Sequence, residues 1–250
     1  ALARGRTVIE NAACEPEIVD LANFINAMGG KVQGAGTDEI RIQGVEFLKG
    51  TEYTVIPDRI ETGTYMIAAA ITRGSLFIKG ALIEHLGAVV AKLREMGVEI
   101  SSTNNGIYIN ARGKELLPIN VTTLPYPAFP TDLQSPMTAL LATVPGVSRM
   151  TETLFEHRFM YLEELQRMAG KVCLEGGQTA IIQGGCLLGA QVKASDLRNG
   201  AALILAGLAA SGTTEISGLH HIERGYVNIV EKLRSLGAKI AYNRPCEVAL

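Results

Sequence analysis

One pattern occurs four times in this chain: an amphipathic helix ends at a small residue, and a short strand follows. The four endings are Ala27-Met28-Gly29-Gly30, Glu95-Met96-Gly97-Val98, Arg167-Met168-Ala169-Gly170 and Ser235-Leu236-Gly237-Ala238. They recur at intervals of 68, 72 and 68 residues, counted between the third residues of the four endings. Glycine after the last apolar position stops a helix, because it adopts a positive φ without steric cost. This regular spacing predicts one structural unit that is used several times.

A second set of helices precedes three of these endings. These helices are rich in small residues and apolar on almost every side, which predicts that they lie at the centre of the fold. Their predicted ranges are Glu61–Arg73, Asp132–Val144 and Asp196–Ser211. A short strand follows each of them, at Ser75–Ile78, Val147–Thr151 and Thr214–Ser217. A full unit is therefore predicted to run strand, helix, strand, helix, strand, strand.

The repeat also predicts the domain organisation. The second unit is predicted to begin near Glu52, the third near Ile119 and the fourth near Gln191. The first unit has only the last four elements, from a strand at Thr7–Glu10 to about Ile42. We expect residues 51–250 to form a pseudo-threefold domain, and residues 1–50 to be the incomplete end of a preceding domain. The fourth unit has no convincing final strand, since Asn243-Arg244-Pro245-Cys246 breaks the pattern.

Composition excludes several classes of function. The chain is 47% hydrophobic, enough for a large core, and its net charge of −2 does not indicate nucleic acid or an anionic membrane as a partner. The longest apolar run, near Ala201–Ala210, is too short to cross a bilayer. The four cysteines form no C-x-x-C pair and the four histidines have no metal-ligand spacing. We therefore expect no metal or cofactor, and a reduced, cytoplasmic protein.

Asp132 lies in the stretch that carries most of the candidate chemistry. Two prolines hold the chain extended before it, and a helix is predicted to begin at Thr131 and Asp132. An aspartate at this point is either a plain helix cap or a carboxylate placed to accept a proton. The spacing alone favours the cap.

Further charged residues are predicted to converge on Asp132. If the central helices lie side by side, their N-termini bring Asp132 and Asp196 to one end of the domain, with Arg158, Arg198 and Arg224 nearby. Helix N-termini and clustered arginines bind phosphate and carboxylate groups. The arrangement suits a small polyanion beside a base, although caps and ordinary ion pairs explain the same residues equally well.

The motifs at these positions resemble the enolpyruvyl transferase family, and within it the enzymes that act on UDP-N-acetylglucosamine. The similarity covers essentially all 250 residues. The matching motifs are Ile9-Glu10-Asn11-Ala12-Ala13-Cys14-Glu15-Pro16-Glu17-Ile18, Pro57-Asp58-Arg59-Ile60-Glu61-Thr62-Gly63-Thr64, Pro127-Ala128-Phe129-Pro130-Thr131-Asp132, Glu156-His157-Arg158-Phe159, Ala194-Ser195-Asp196-Leu197-Arg198 and Arg224-Gly225-Tyr226.

The resemblance implies an α/β fold of the EPSP-synthase type: two inverted, inside-out α/β barrels with an active site between them. It implies transfer of the enolpyruvyl group of phosphoenolpyruvate to the 3′-hydroxyl of UDP-N-acetylglucosamine, with release of phosphate, as the first step of peptidoglycan synthesis. Asp132 matches the catalytic base and Asp196 a second active-site aspartate. Leu154 matches a backbone contact to the sugar nucleotide, and Arg158, Arg198 and Arg224 match arginines around phosphoenolpyruvate and phosphate.

The chain departs from the family pattern at one place. It lacks the family's N-terminal part, which carries the mobile loop with the proton-donating cysteine or aspartate, the target of fosfomycin. We therefore expect that the chain is inactive alone, and that a separate N-terminal polypeptide could complete it. Two alternatives stay open: a non-catalytic module that binds the sugar nucleotide or a partner, and enolpyruvyl transfer to shikimate 3-phosphate.

Overall fold

The computed structural model describes residues 1–243 and contains helices and small sheets that follow the predicted repeat. In the first unit, strand β1 (Arg6–Glu10) leads to helix α1 (Pro16–Ala27), and strands β2 (Val32–Gln33) and β3 (Glu39–Gln43) follow. The predicted last four elements of this unit are confirmed. Within the described residues, no helix is both long and apolar enough to cross a membrane.

The second unit contains α2, β4, a short 3-10 turn at Ile83–Leu86, α3, β5 and β6. Their bounds are α2 Arg59–Ile71, β4 Ser75–Lys79, α3 Gly87–Glu95, β5 Glu99–Thr103 and β6 Gly106–Asn110. The third unit contains all six elements. Their bounds are β7 Asn120–Thr122, α4 Gln134–Leu141, β8 Gly146–Thr151, α5 Leu162–Arg167, β9 Lys171–Glu175 and β10 Thr179–Gly184.

The fourth unit begins with β11 and ends, within the described residues, with a pair of short helices. Its bounds are β11 Gln191–Lys193, α6 Leu197–Ala209, β12 Glu215–Ser217, α7 Leu219–Glu223 and α8 Ile229–Ser235. Strands β11 and β12 pair in parallel. The predicted break in the pattern at Asn243-Arg244-Pro245-Cys246 lies, from residue 244 onward, outside the described residues.

The same strand order recurs in the first three units, which supports the repeat independently of sequence. In the first unit the order is β1-β3-β2, and in the second it is β4-β6-β5, with antiparallel pairing throughout. The third unit has the corresponding order β8-β10-β9 and adds β7, which pairs in parallel with β8. The fourth unit repeats that parallel pair as β11 and β12.

The four helix endings share one backbone arrangement. Gly29, Gly97 and Gly237 have φ values of 93°, 98° and 97°, and Ala169 takes the equivalent place with a φ of 60°. The residue after each of them donates its N–H to a carbonyl five residues back, at 2.8–3.0 Å. This is the hydrogen bond of a Schellman motif, which satisfies carbonyls that the helix end leaves free.

The three helices α2, α4 and α6 contact one another pairwise at the centre of the second, third and fourth units. Nearly every residue of α2 and every residue of α4 is buried, and α6 is buried from Asn199 to Ala206. Their burial and their mutual contacts confirm the prediction that these three helices are central, and most of their buried side chains are apolar. The first unit has a small apolar cluster of its own around Ala22, Val32 and Ile40.

Two local predictions are wrong. The segment after Thr51 forms no strand and is held against α1: the Tyr53 hydroxyl donates to Asp20 Oδ1 at 2.8 Å, and the Ile56 N–H reaches Asp20 Oδ2 at 3.5 Å. The predicted helix at Asp132–Val144 is shorter than expected. A 3-10 turn at Thr131–Leu133 comes first, and α4 begins only at Gln134.

Candidate active site

Asp132 does not cap a helix. The residue at the N-terminal cap of its 3-10 turn is Pro130, and no side chain caps either that turn or α4. The Asp132 carboxylate instead accepts a hydrogen bond on each oxygen, from Arg158 Nη2 to Oδ1 and from Arg198 Nη2 to Oδ2, both at 2.8 Å. The interpretation that the spacing favoured is therefore wrong, and Asp132 is a carboxylate held between two guanidinium groups.

Apolar anchors on both sides fix the turn that carries Asp132. Phe129 is 3% exposed and Leu133 is fully buried, so both ends of the turn are held in the core. Gly63 in α2 gives Leu133 its space, because a Cβ at this glycine would lie 2.4 Å from Leu133 Cδ1. Close packing of this kind restricts how far the Asp132 carboxylate can move.

Arg198 is held from behind by a chain of hydroxyl groups. Its Nη1 donates to the Tyr226 hydroxyl at 3.3 Å, and that hydroxyl lies 2.9 Å from Thr64 Oγ1. Thr64 already donates its only hydroxyl proton to the Ile60 carbonyl at 2.8 Å, so Tyr226 must donate to Thr64 and accept from Arg198. Tyr226 is 1% exposed. This series of hydrogen bonds links Asp132, through Arg198 and Tyr226, to the interior of α2.

Charge and burial act in opposite directions on these groups. Burial favours a neutral guanidinium at Arg198, but the attraction of Asp132 and the hydrogen bonds of its neighbours raise the pKa of Arg198. Burial also raises the pKa of Tyr226, and its bonds to Thr64 and Arg198 offset only part of that effect. Arg198 therefore remains a cation and Tyr226 a neutral phenol throughout the physiological range.

A cleft of about 530 Å³ opens beside Asp132, between the first unit and the central helices. One wall is the segment that joins β1 to α1, and the other consists of residues 124–132 with Leu154 and Phe155. Arg59 lies on the cleft and forms a two-point ion pair with Glu17, at 2.9 and 2.8 Å. Its guanidinium also lies 5.6 Å from the centre of the Tyr126 ring.

The pair of Glu17 and Arg59 connects the first unit to the second across the edge of the cleft. Burial opposes the charged form of Glu17, but its bonds with Arg59 outweigh this and lower the pKa of Glu17. The same contacts raise the pKa of Arg59 against the effect of its own burial. This ion pair therefore stabilises the contact between α1 and α2 at the edge of the cleft.

The structure brings together only part of the predicted site. Asp132, Arg158 and Arg198 are in direct contact, and Leu154 lines the cleft with 39% of its surface exposed. Asp196 is the N-terminal cap of α6, where Oδ1 accepts the N–H groups of Arg198 and Asn199 at 2.8 and 2.9 Å. Arg224 is exposed at the C-terminal end of α7 and takes no part in the Asp132 cluster.

Comparison with known proteins decides the family. The sequence model of the EPSP synthase (3-phosphoshikimate 1-carboxyvinyltransferase) family matches residues 1–233. The chain belongs to this family. Within the family, the chain is similar in sequence to enzymes named UDP-N-acetylglucosamine 1-carboxyvinyltransferase. This similarity confirms the resemblance seen in the motifs.

Two such relatives show how far the similarity extends. The chain is 56% identical over 240 residues to UDP-N-acetylglucosamine 1-carboxyvinyltransferase 1 of Staphylococcus epidermidis strain ATCC 35984. It is also 56% identical over 242 residues to UDP-N-acetylglucosamine 1-carboxyvinyltransferase 2 of Carboxydothermus hydrogenoformans. Each match covers 96% of this chain and 57% of the relative. The chain thus spans little more than half the length of these family members.

Solved structures confirm the fold of the family. The enolpyruvyl transferase NikO from Streptomyces tendae superposes with a TM-score of 0.85 at 28% identity, over 96% of this chain and 57% of that one. EPSP synthase from Acinetobacter baumannii superposes with a TM-score of 0.71 at 20% identity, over 97% of this chain and 59% of that one. The described part of the chain therefore has an EPSP-synthase-like fold.

Sequence reasoning missed three residues that the structure places around the Asp132 cluster. Tyr226, Glu17 and Arg59 all lie in motifs that resemble the family, but the sequence predicts no contact for any of them. Their partners lie 28 to 162 positions away in sequence. A buried tyrosine beside predicted site arginines was the one available signal, since a buried hydroxyl needs a polar partner.

Proposed function

We propose that this chain is the part of an enolpyruvyl transferase that carries the catalytic base. The reaction moves the enolpyruvyl group of phosphoenolpyruvate to the 3′-hydroxyl of UDP-N-acetylglucosamine and releases phosphate, and it opens peptidoglycan synthesis in the cytoplasm. The observation that carries this proposal is the Asp132 carboxylate between two arginines at a cleft, in a chain 56% identical to enzymes named for this transfer.

Asp132 is the residue that we assign as base. A carboxylate that accepts hydrogen bonds on both oxygens is held in one orientation, and it keeps lone pairs free for a substrate hydroxyl. The acceptor hydroxyl loses its proton as it attacks the enolpyruvyl carbon, so a positioned carboxylate speeds that step. Side-chain exposure of 38% at Asp132 is consistent with access from the cleft.

Arg158 and Arg198 are the residues that we assign to the anionic substrate. Phosphoenolpyruvate carries phosphate and carboxylate groups, for which guanidinium groups are suitable two-point donors. In the described structure each arginine uses Nη2 for Asp132. We expect an incoming anion to compete for these donors and to draw the arginines partly away from Asp132, which would leave its carboxylate oxygens free to accept the substrate hydroxyl.

The remaining assignments depend on the family resemblance. Leu154 would contact the sugar nucleotide through its backbone, and its place on the cleft supports this. Arg224 would contribute a further cation once the site closes. Asp196 would act from its position at the start of α6, next to Arg198. Each of these roles is a proposal of its own and is testable by substitution.

The domain organisation belongs to the same proposal. We infer that residues 51–250 close an inverted, pseudo-threefold α/β barrel around α2, α4 and α6, and that residues 1–50 are the end of another domain. The pairwise contacts of the three helices and the separate apolar cluster of the first unit support this. We propose that turnover requires the portion of the enzyme that this chain does not span, either fused to it or as a separate N-terminal polypeptide.

The acceptor distinguishes the enzyme proposal from its alternatives. The test combines this chain with a polypeptide that supplies the part of the Staphylococcus epidermidis relative outside the match; this assembly is called the complete enzyme below. Phosphate release from phosphoenolpyruvate is measured with UDP-N-acetylglucosamine or with shikimate 3-phosphate. We expect release only with the sugar nucleotide. Release only with shikimate 3-phosphate would change the acceptor, and binding without release would support the non-catalytic module.

A further inference from the structure

One buried carboxylate connects the two segments that carry the proposed site. Glu152 follows β8 and is 1% exposed. Its Oε2 accepts the hydroxyl of Thr131 at 2.8 Å, and its Oε1 accepts the N–H groups of Leu154 and Phe155 at 2.9 and 3.2 Å. Thr131 directly precedes Asp132 in the chain, so a single side chain bridges the base-bearing turn and the segment that leads to Arg158.

The surroundings of the Glu152 carboxylate suit a role in fixing local geometry. A buried carboxylate is costly unless donors surround it, and Glu152 has three within hydrogen-bond distance. The two N–H groups are consecutive along the backbone, so they fix the direction in which the chain leaves β8. A second contact supports the same segment: Thr153 exchanges hydrogen bonds with Thr123, at 3.1 and 2.6 Å.

We propose that Glu152 is a positioning residue for the transfer reaction, because it sets the distance between Asp132 and the segment of Leu154 and Arg158. This inference rests on the proposed function. Glu152 does not face the cleft, so it acts through Thr131 on one side and through the backbone of Leu154 and Phe155 on the other. A displacement of about 1 Å at a reacting group can cost about 10²-fold in rate.

Four variants of the complete enzyme test the bridge. Glu152→Ala breaks both sides, and we expect kcat to fall by about 10²-fold while KM for the sugar nucleotide rises. Glu152→Gln keeps the length of the side chain: its amide oxygen can accept the N–H groups of Leu154 and Phe155, and its amide NH2 can donate to the Thr131 hydroxyl, so it should restore most of kcat. Thr131→Val breaks only the side that holds Asp132, so we expect kcat to fall by about tenfold with KM for the sugar nucleotide unchanged. Thr131→Ser keeps the hydroxyl and should restore activity.

The pair of substitutions distinguishes positioning from general loss of stability. If Thr131 and Glu152 act through one bridge, adding Thr131→Val to the Glu152→Ala enzyme should lower kcat no further. If they act independently, the two reductions in kcat would multiply. The control is Leu93→Ala, a fully buried change in the second unit that should lower the melting temperature and leave kcat unchanged. The inference is wrong if Glu152→Ala behaves like Leu93→Ala, or if the effects of the two site substitutions multiply.

A second measurement does not depend on turnover. Amide hydrogen exchange of Leu154 and Phe155 is measured in the 250-residue chain itself. Glu152→Ala should accelerate exchange at both amides. Thr131→Val should leave their exchange unchanged, because the two N–H groups bond to Glu152 and not to Thr131. Unchanged exchange in Glu152→Ala would overturn the bridge. If wild-type complete enzyme releases no phosphate, the proposed function fails, and the exchange result alone decides whether Glu152 joins the two segments.

Discussion

Replacement of Asp132 by alanine separates catalysis from substrate binding. The substitution removes the proposed base and leaves Arg158 and Arg198 without the carboxylate that both contact at 2.8 Å. A positioned general base contributes roughly 10²- to 10⁴-fold to a rate, which corresponds to about 2.7–5.4 kcal/mol of transition-state stabilisation. We therefore expect kcat of the complete enzyme to fall by about that factor.

Binding should change far less, and in the opposite direction. The side chain of Asp132 is 38% exposed, so its ion pairs are screened by water. Exposed pairs of this kind contribute at most about 1 kcal/mol each, which limits any gain in affinity for an anion to about fivefold for each released arginine. Two arginines released from Asp132 have more capacity for phosphoenolpyruvate, so KM for this substrate should stay the same or fall slightly.

The assay is phosphate release as a function of phosphoenolpyruvate concentration, together with a single-turnover measurement that isolates the chemical step. Asp132→Asn is the matched variant, because it keeps the shape of the side chain but removes its charge and its capacity as a base. Both variants should lose kcat with KM nearly unchanged. Normal kcat with a large rise in KM would show that Asp132 only organises the arginines, and would refute its assignment as base.

Three further predictions test other parts of the site. Arg224→Ala should raise KM for phosphoenolpyruvate in the complete enzyme, and an unchanged dependence of rate on this substrate would remove Arg224 from the site. Tyr226→Phe removes a buried hydroxyl between Thr64 and Arg198, so unfolding should become about 1 kcal/mol easier and the melting temperature should fall by about 2–4 °C; an unchanged melting temperature would contradict this. Because Arg59 lowers the pKa of Glu17, the ion pair stabilises the fold above pH 4.5, and its contribution is lost as the pH falls through the lowered pKa. Wild type should therefore be more stable than Glu17→Gln at pH 7, and this difference should shrink as the pH falls below 4.5. A difference in stability that stays the same size throughout the acid range would contradict the assignment.

Much of the fold could be predicted because short local sequence patterns determine the repeat. Helix-stopping residues recur at regular intervals, and the structure places Gly29, Gly97 and Gly237 in the positive-φ conformation that the prediction required. Ala169 shows that the position, more than the residue type, determines this conformation. The central helices could be predicted because burial on almost all sides leaves a run of small and apolar residues that is too long for a strand.

The site was less predictable, because its contacts depend on tertiary structure. A cap is a local interaction, and Asp196 does cap α6 at the helix start that the sequence predicted, as Asp58 caps α2. The same pattern failed at Asp132, because Arg158 and Arg198 lie 26 and 66 residues away and compete for its oxygens. Similarly, the segment after Thr51 forms no strand and is held to Asp20 by hydrogen bonds, a contact that no local pattern reveals.

The most direct test of the account compares turnover by three samples under the same conditions. These are the 250-residue chain alone, the complete enzyme, and the complete enzyme with Asp132→Ala, each with phosphoenolpyruvate and UDP-N-acetylglucosamine. We predict phosphate release by the complete enzyme only, and a loss of about 10²-fold or more in the variant. Release by the chain alone at the same rate, or undiminished release by the Asp132 variant, would contradict it.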